Sequence, residues 1–352
     1  MADLLEYLKK AMEIGASDVF VVAGAPISVK VDGQVRHLDD QKIFPPANDD
    51  MIRDMYERAG RSIDRFLQTG DDDFSLSIAG LARFRVSAFR QRGTMGAVIR
   101  IVAFSIPDWK QIGILPQVME LADLSHGLVL FTGTAGSGKS TTQACIVDQI
   151  NRTRCCHVIT LEDPIEYLHR NNMSIVNQRE IAIDTADCVS ALRACLRQAP
   201  DVIQLGELRD SETIRAAMTA AETGHLIFAT LHTHGAVNSI DRIIDSFSAD
   251  QQAQIRLQLS TVLDSVVSQQ LIPGASGGLV PAFEIMHMTP AIRSLIRDSK
   301  THQIDNAIST GAEEGMMSAD QHLFKLYTAK KISKETALRF ADNPTQLRRR
   351  LD

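Results

Sequence analysis

A chain of 352 residues is long for a single hydrophobic core, so two domains are expected. Its 44% hydrophobic and 23% charged content is ordinary for a globular protein that works in water. No apolar run approaches the roughly 18 residues that span a bilayer, and a net charge of −6 argues against a nucleic-acid translocase, which needs a basic footprint.

The first hundred residues read as α+β. Asp3 to Ile14 carries Leu4, Leu5, Leu8 and Met12 at helical spacing, and Gly15 ends the run. Asp18 to Ala23 is strand-like. Ile27 to Val31 and Gln34 to Leu38 flank Asp32-Gly33, a hairpin signal. Asp49 to Leu67 is helical with a break at Gly60. Asp73 to Ile78, Arg83 to Arg90 and Met95 to Val102 are strand-like runs, with turns at Ala79-Gly80 and Arg92-Gly93. Arg83 and Arg85 share one face because strand side chains alternate. With Arg100 they form either a solvated face or a set of cations able to reach a phosphate. Ser105 to Pro116, with two prolines, Trp109 and Gly113, reads as a linker.

Beyond it the pattern becomes buried strands alternating with helices, the signature of a mostly parallel sheet covered on both faces. The strand candidates are Gly127 to Thr132, His157 to Leu161, Asp201 to Leu205 and His225 to Thr230. From Ala249 the chain reads as mostly helical, apart from a glycine-rich turn at Gly274 to Gly278 and a strand at Leu279 to Met288. The five cysteines form no C-x-x-C pair, so neither a zinc knuckle nor a thioredoxin-type site is expected; the odd count suits a reducing cytoplasm. The amino terminus shows no signal-peptide pattern.

The chemistry concentrates where these strands end, which is where open α/β sheets place their sites. Gly133-Thr134-Ala135-Gly136-Ser137-Gly138-Lys139-Ser140, followed by Thr141, is a complete phosphate-binding loop. Its glycines let successive N–H groups turn inward, Lys139 brings a point charge to the outer phosphates, and the Ser140 hydroxyl can hold Mg²⁺. Glu162-Asp163-Pro164-Ile165-Glu166 puts three carboxylates within five residues, suited to Mg²⁺ and water activation, or else a solvated acidic turn. Glu207, just past an apolar strand, is placed as the metal-side carboxylate of such a loop, reaching Mg²⁺ through water together with Ser140, Glu162 and Asp163. His225 and His232 bracket the fourth strand. His232 and His234 stand in H-x-H order, read as a metal pair or as imidazoles that sense phosphate. No N-K-x-D guanine motif is present, so ATP is the expected nucleotide.

These strings together resemble the retraction ATPases of type IV pili, the PilT/PilU family of secretion-type motors. The resemblance runs from the first helix to about Ala341 and rests on GTAGSGKST, LEDPIEYLH, NQRE at Asn177 to Glu180, PDVIQLGELRD, AAETGHLIFATLHT and AIRSLIRD at Ala291 to Asp298. It implies an α/β chain with a PAS-like N-terminal α+β domain (1–104), a linker (105–116) and a RecA-like P-loop NTPase domain with a helical C-terminal region (117–352). It further implies a homo-hexamer that hydrolyses ATP with Mg²⁺. Such a ring is cytoplasmic and peripheral at the inner membrane, where it docks on a pilus platform protein and works with a paralogous pilus motor ATPase. Carried over residue by residue, Glu166 polarises the attacking water, Glu207 is the Walker B glutamate and His225 and His232 are the histidine-box residues. Arg83, Arg85 and Arg100 are the arginines that the N-terminal domain brings to the phosphates. The Ala291–Asp298 segment matches a helix tied to retraction, although Ile292, Leu295 and Ile296 fall at helical spacing and suit a buried face equally. Gln198-Ala199, where an acidic pair is frequent, looks PilU-like; the 291–298 helix looks PilT-like. Assembly and type II secretion ATPases share the motor domain but carry a tetracysteine zinc site that this chain lacks. A non-catalytic ring subunit is disfavoured because every catalytic position is filled.

Overall fold

The computed structural model describes residues 4–31, 33–78, 80–102 and 105–352, so Asp3, Asp32, Ala79 and Phe104, each used above, lie outside the described residues. Two compact units emerge. One comprises residues 1–105 with 166–168; the other comprises 106–165 and 169–352.

The first unit is α+β. Helix α1 (Leu4–Glu13) leads into β1 (Asp18–Val22), β2 (Pro26–Val31) and β3 (Gln34–Lys42), then α2 (Pro45–Arg58), α3 (Asp64–Thr69), β4 (Asp71–Ile78), β5 (Ala82–Gln91) and β6 (Thr94–Val102). The helical stretch read across 49–67 is therefore two helices. Gly60, at positive φ, ends the first, and the buried Asp72 carboxylate, bound by Arg61 at 2.9 and 2.8 Å, fixes the connection. The strands form one antiparallel sheet in the order β3-β2-β1-β6-β5-β4. Leu8, Ile52, Met55, Phe66, Phe84, Val86 and Ile99 build its core. Phe84 and Val86 point into that core, so Arg83 and Arg85 between them occupy the other face. Arg85 stands directly opposite Arg100, and Arg100 opposite Asp18, to which it donates at 3.0 Å. The three arginines thus share one sheet face.

The second unit opens with residues 106–116, read as a linker. Ile114 is buried in this unit's core, and Ile106, Trp109, Ile112 and Leu115 pack against it. After α4 (Pro116–Met119) come β7 (Gly127–Thr132), α5 (Lys139–Thr153), β8 (His157–Glu162), β9 (Ile175–Glu180), α6 (Cys188–Cys195), β10 (Val202–Leu205), α7 (Ser211–Glu222) and β11 (Leu226–Leu231). These are followed by α8 (Ala236–Asp245), α9 (Ala249–Val262), β12 (Leu263–Pro273) and β13 (Leu279–His287), and by helices α10 (Pro290–Arg297), α11 (Ile304–Thr310), α12 (Ala319–Thr328), α13 (Lys334–Arg339) and α14 (Pro344–Leu351). The sheet order is β13-β12-β7-β11-β10-β8-β9. Neighbours are parallel from β12 to β9, and only β13 is antiparallel. All four strand candidates are parallel members of this sheet, and their side chains are almost all buried, as two covered faces require.

Two strands depart from the expectation. β9 is an edge strand where only a polar string had been noted. β12 replaces the expected helical continuation: α9 turns into it at Leu263, which is extended (φ −64, ψ 130), without any glycine or proline. The helix containing 291–298 buries Ile292 and Ile296, with Leu295 partly buried against the same core.

Candidate nucleotide-binding site

Because β7, β8, β10, β11 and β12 run in parallel, their carboxyl ends share one edge of the sheet. Register makes this concrete. Thr132 is level with Leu231 and with Ser268, and Leu205 is level with Leu161. Gly133, His232 and Gln269 are therefore level with one another, while Gly206 and Glu162 are level with each other two residues short of them.

The phosphate loop connects β7 to α5. Gly138 adopts positive φ at the helix boundary, and no side chain caps the first turn of α5, so its leading N–H groups face the loop. A helix N-terminus of this kind stabilises an anion through its unpaired donors and its dipole. The Lys139 side chain is buried and donates to the carbonyls of Gly133 (2.7 Å) and Thr134 (3.0 Å), so its ammonium is held inside the loop that it would serve. The Ser137 hydroxyl is also buried, and it has no hydrogen-bond partner. A buried orphan hydroxyl just before the uncapped first turn of α5 fits an anionic oxygen, since leaving such a group unsatisfied costs about 1–3 kcal/mol. Thr134, Ala135 and Gly136 form the exposed crest of the loop, while Ser140 and Thr141 stand half-buried at the start of α5.

The carboxylates divide. Glu207 is half-buried, accepts from Arg209 Nε at 2.9 Å, and lies 3.4 Å from His232 Nε2. Its backbone approach is set by Gly206, whose N–H donates to Leu161 at 2.8 Å and whose carbonyl accepts from the Thr230 hydroxyl. Glu162 is buried and takes hydrogen bonds from Thr160 (2.5 Å) and Gln178 (3.1 Å). Gln178 belongs to the Asn177–Glu180 string, and its carbonyl oxygen also accepts from His169 N–H at 2.8 Å. Asp163 is exposed, 3.8 Å from Arg209. Glu166 is exposed and belongs with the first unit. Within the second unit Glu162 is buried and Asp163 exposed, so these two carboxylates have different surroundings. Among the described residues no group of three or more His, Cys, Asp or Glu side chains is arranged to hold a metal.

The histidines separate as well. His232 joins Glu207 at the carboxyl edge, whereas His225 precedes β11 at the opposite edge, with Nδ1 2.9 Å from the Ala220 carbonyl and its own carbonyl accepting from Gly127 N–H. A six-residue strand lies between them, about 20 Å. Within this unit His225 is thus not brought to the phosphate loop: alternation places neighbours on two faces, but strand length places brackets at two ends. His234 instead bonds Asp342 at 3.0 Å, so the two imidazoles of the H-x-H string have separate carboxylate partners.

One participant escaped the sequence entirely. Gln269, buried on β12, accepts from the Thr142 hydroxyl of α5 at 2.8 Å, and its main-chain carbonyl fills the place where a side chain at Gly133 would begin. Only the parallel pairing of β12 with β7 could have exposed it.

The comparisons with known proteins agree with this geometry. A family model described as Type II/IV secretion system protein matches residues 2–325. Among curated proteins, the chain is similar to the type IV pilus retractation ATPase PilT of Pseudomonas aeruginosa, 44% identical over 97% of this chain and 99% of that protein. It is also similar to the type IV pilus ATPase PilU of the same organism, 40% identical over 97% and 89%. Among solved structures it is similar to the pilus retraction motor PilT with bound ADP. That likeness has a TM-score of 0.92 and 41% identity, and covers 99% of this chain and 100% of the other.

Proposed function

This chain belongs to the Type II/IV secretion system protein family, and on that premise we propose that it is an ATP-hydrolysing motor that drives type IV pilus retraction. The observation that carries the reading is the loop 133–140, glycine-curled at the uncapped start of α5, with Glu207 just past the end of β10, two strands away in the same sheet. The relatives' names add the purpose of the hydrolysis: one is a retractation ATPase, and a solved relative holds ADP.

In this reading the first unit is the PAS-like domain and the second the RecA-like motor. The ring is a homo-hexamer, cytoplasmic and held at the inner membrane by the pilus platform protein, with a paralogous motor as a second partner. Lys139 gives up the Gly133 and Thr134 carbonyls for the outer phosphates, and the first-turn N–H groups with the Ser137 hydroxyl take the remaining oxygens. Ser140, with Glu207 acting through water, would hold Mg²⁺, which would supply neutralising charge on the triphosphate. His232 and Arg209 orient the Glu207 carboxylate. Glu166 polarises the attacking water, and Arg83, Arg85 and Arg100 neutralise the charge that develops on the transferred group. Such positioning and charge neutralisation account for most catalysis of phosphoryl transfer.

Two measurements test this. Purified Lys139→Ala is expected to lose ATP turnover to background; a variant with parental turnover would sink the assignment. A deletion strain is expected to carry excess surface pili and to lack twitching, whereas loss of pili would move the protein to assembly.

A further inference from the structure

The phosphate loop is gripped at both ends by one residue of β12. Gln269 is 3% exposed. At the start of the loop its main-chain carbonyl stands where the Cβ of any residue other than glycine at 133 would go. At the end of the loop its amide nitrogen lies 2.7 Å from the place of a Cβ on Gly138. Its amide oxygen accepts from the Thr142 hydroxyl at 2.8 Å, and the Thr142 N–H donates to the Gly138 carbonyl at 3.0 Å. Thr142 is itself fully buried. The bond from the hydroxyl orients the amide, oxygen toward α5 and nitrogen toward Gly138.

A buried amide costs desolvation that an apolar side chain of the same length avoids. Filling space therefore does not account for glutamine here; the directional bond to Thr142 does. The neighbours of Gln269 act on the adjacent loop. The Ser268 hydroxyl accepts from Gly235 N–H at 3.0 Å, just after the His232–His234 segment. Adjacent residues of β12 thus brace two of the loops that meet at the carboxyl edge.

We propose that Gln269 is a positioning residue for nucleotide phosphates: with Thr142 it fixes the curvature of loop 133–140, so that the N–H groups are aimed before the nucleotide arrives. It touches the loop and not the substrate. Preorganisation of this sort acts on affinity more than on the chemical step. The inference presupposes the ATPase function proposed above.

The test uses the full-length protein with Mg²⁺, comparing Gln269→Met, Thr142→Val and the double variant. ATP KM and kcat are measured alongside ADP Kd and the melting temperature without nucleotide. Each single variant is expected to raise KM and Kd about five- to tenfold while kcat changes less than about twofold, the pattern of lost uniform binding. The double variant is expected to be no worse than the more impaired single, because residues acting as one unit are non-additive. Thr142→Ser, which keeps the hydroxyl, is expected to restore much of the affinity lost in Thr142→Val. An unchanged Kd in Gln269→Met, or losses that simply add, overturns the proposal. So does a lowered melting temperature with Kd intact, which is what a merely structural role predicts. Should Gln269→Met fail to fold, an unchanged Kd in Thr142→Val overturns it alone. Parental protein that binds no nucleotide removes the proposed function as well, whereas parental binding with unaffected variants removes only this inference.

Discussion

Glu284 on β13 is 7% exposed, and its carboxylate accepts from Ala236 N–H at the start of α8 at 2.7 Å. Burial pushes its pKa from 4.5 up to about 7, outweighing that hydrogen bond, and nearby Asp342 and Asp305 push the same way. The folded state thus binds a proton that the unfolded state releases, so this contribution to stability is full below pH 4.5 and is lost as pH rises through about 7. The neighbouring His234 has the same sign. Its bond to Asp342 raises its pKa above 6.5, so the gain is complete below that value and lost above the folded one. Glu284→Gln keeps an acceptor for Ala236 and removes the charge. It is therefore expected to be more stable than the parent by on the order of 1–3 kcal/mol at pH 8, with the gap closing toward pH 4.5. Urea unfolding at several pH values checks this, and a gap independent of pH refutes it. At this scale the sequence was a partial guide. The types and positions of Lys139, Ser140 and Glu207 were legible because their motifs encode local geometry. The different burial of Glu162 and Asp163 was not, since it depends on where a turn sends each side chain.

Elements with strong local grammar were readable: the alternating runs of the first sheet and the apolar strands of the second declare period and burial directly. β12 was not. Its sequence, Leu263 to Pro273, mixes Val and Leu with Asp264, Ser265, Ser268, Gln269 and Gln270, and it follows α9 without a breaker. Its strand state comes from pairing with β7 on one side and β13 on the other, which are tertiary facts that override local preference. The same pairing makes Gly133 intolerant of substitution. Its φ is +137°, and a Cβ there would run into the Gln269 carbonyl, which β12 cannot move without disturbing its ladder. Gly133→Ala is expected to cost about 2 kcal/mol or more in unfolding free energy, strain and overlap combined, and to weaken ADP binding. Denaturation and titration of the variant would show this; parental values in both would mean that the loop and β12 are less tightly joined than the structure indicates.

At the scale of the whole molecule, the residues proposed for the chemistry are divided between two folded units. The phosphate loop, Glu207 and His232 belong to the second, while Arg83, Arg85, Arg100 and the 166–168 segment belong to the first. Sequence motifs describe strand ends within a unit and carry no information on what a second unit or a neighbouring copy contributes. If the arginine face completes the site, as we propose, Arg83→Ala should retain nucleotide affinity and lose turnover by about 10³-fold or more, the range for a transition-state arginine. The partner that supplies it can then be assigned by mixing. Arg83→Ala subunits keep an intact loop, and Lys139→Ala subunits keep an intact arginine face, so neither is active alone. Turnover that partly recovers in mixed rings means that the arginine serves a neighbour's nucleotide, because no single chain in the mixture holds both groups. Turnover that stays at background, with mixed rings verified by differential tagging, means that each chain must complete its own site. In a closed ring, only the first outcome ties hydrolysis at one subunit to the arrangement of the next, and that tie is what lets a nucleotide cycle push in one direction.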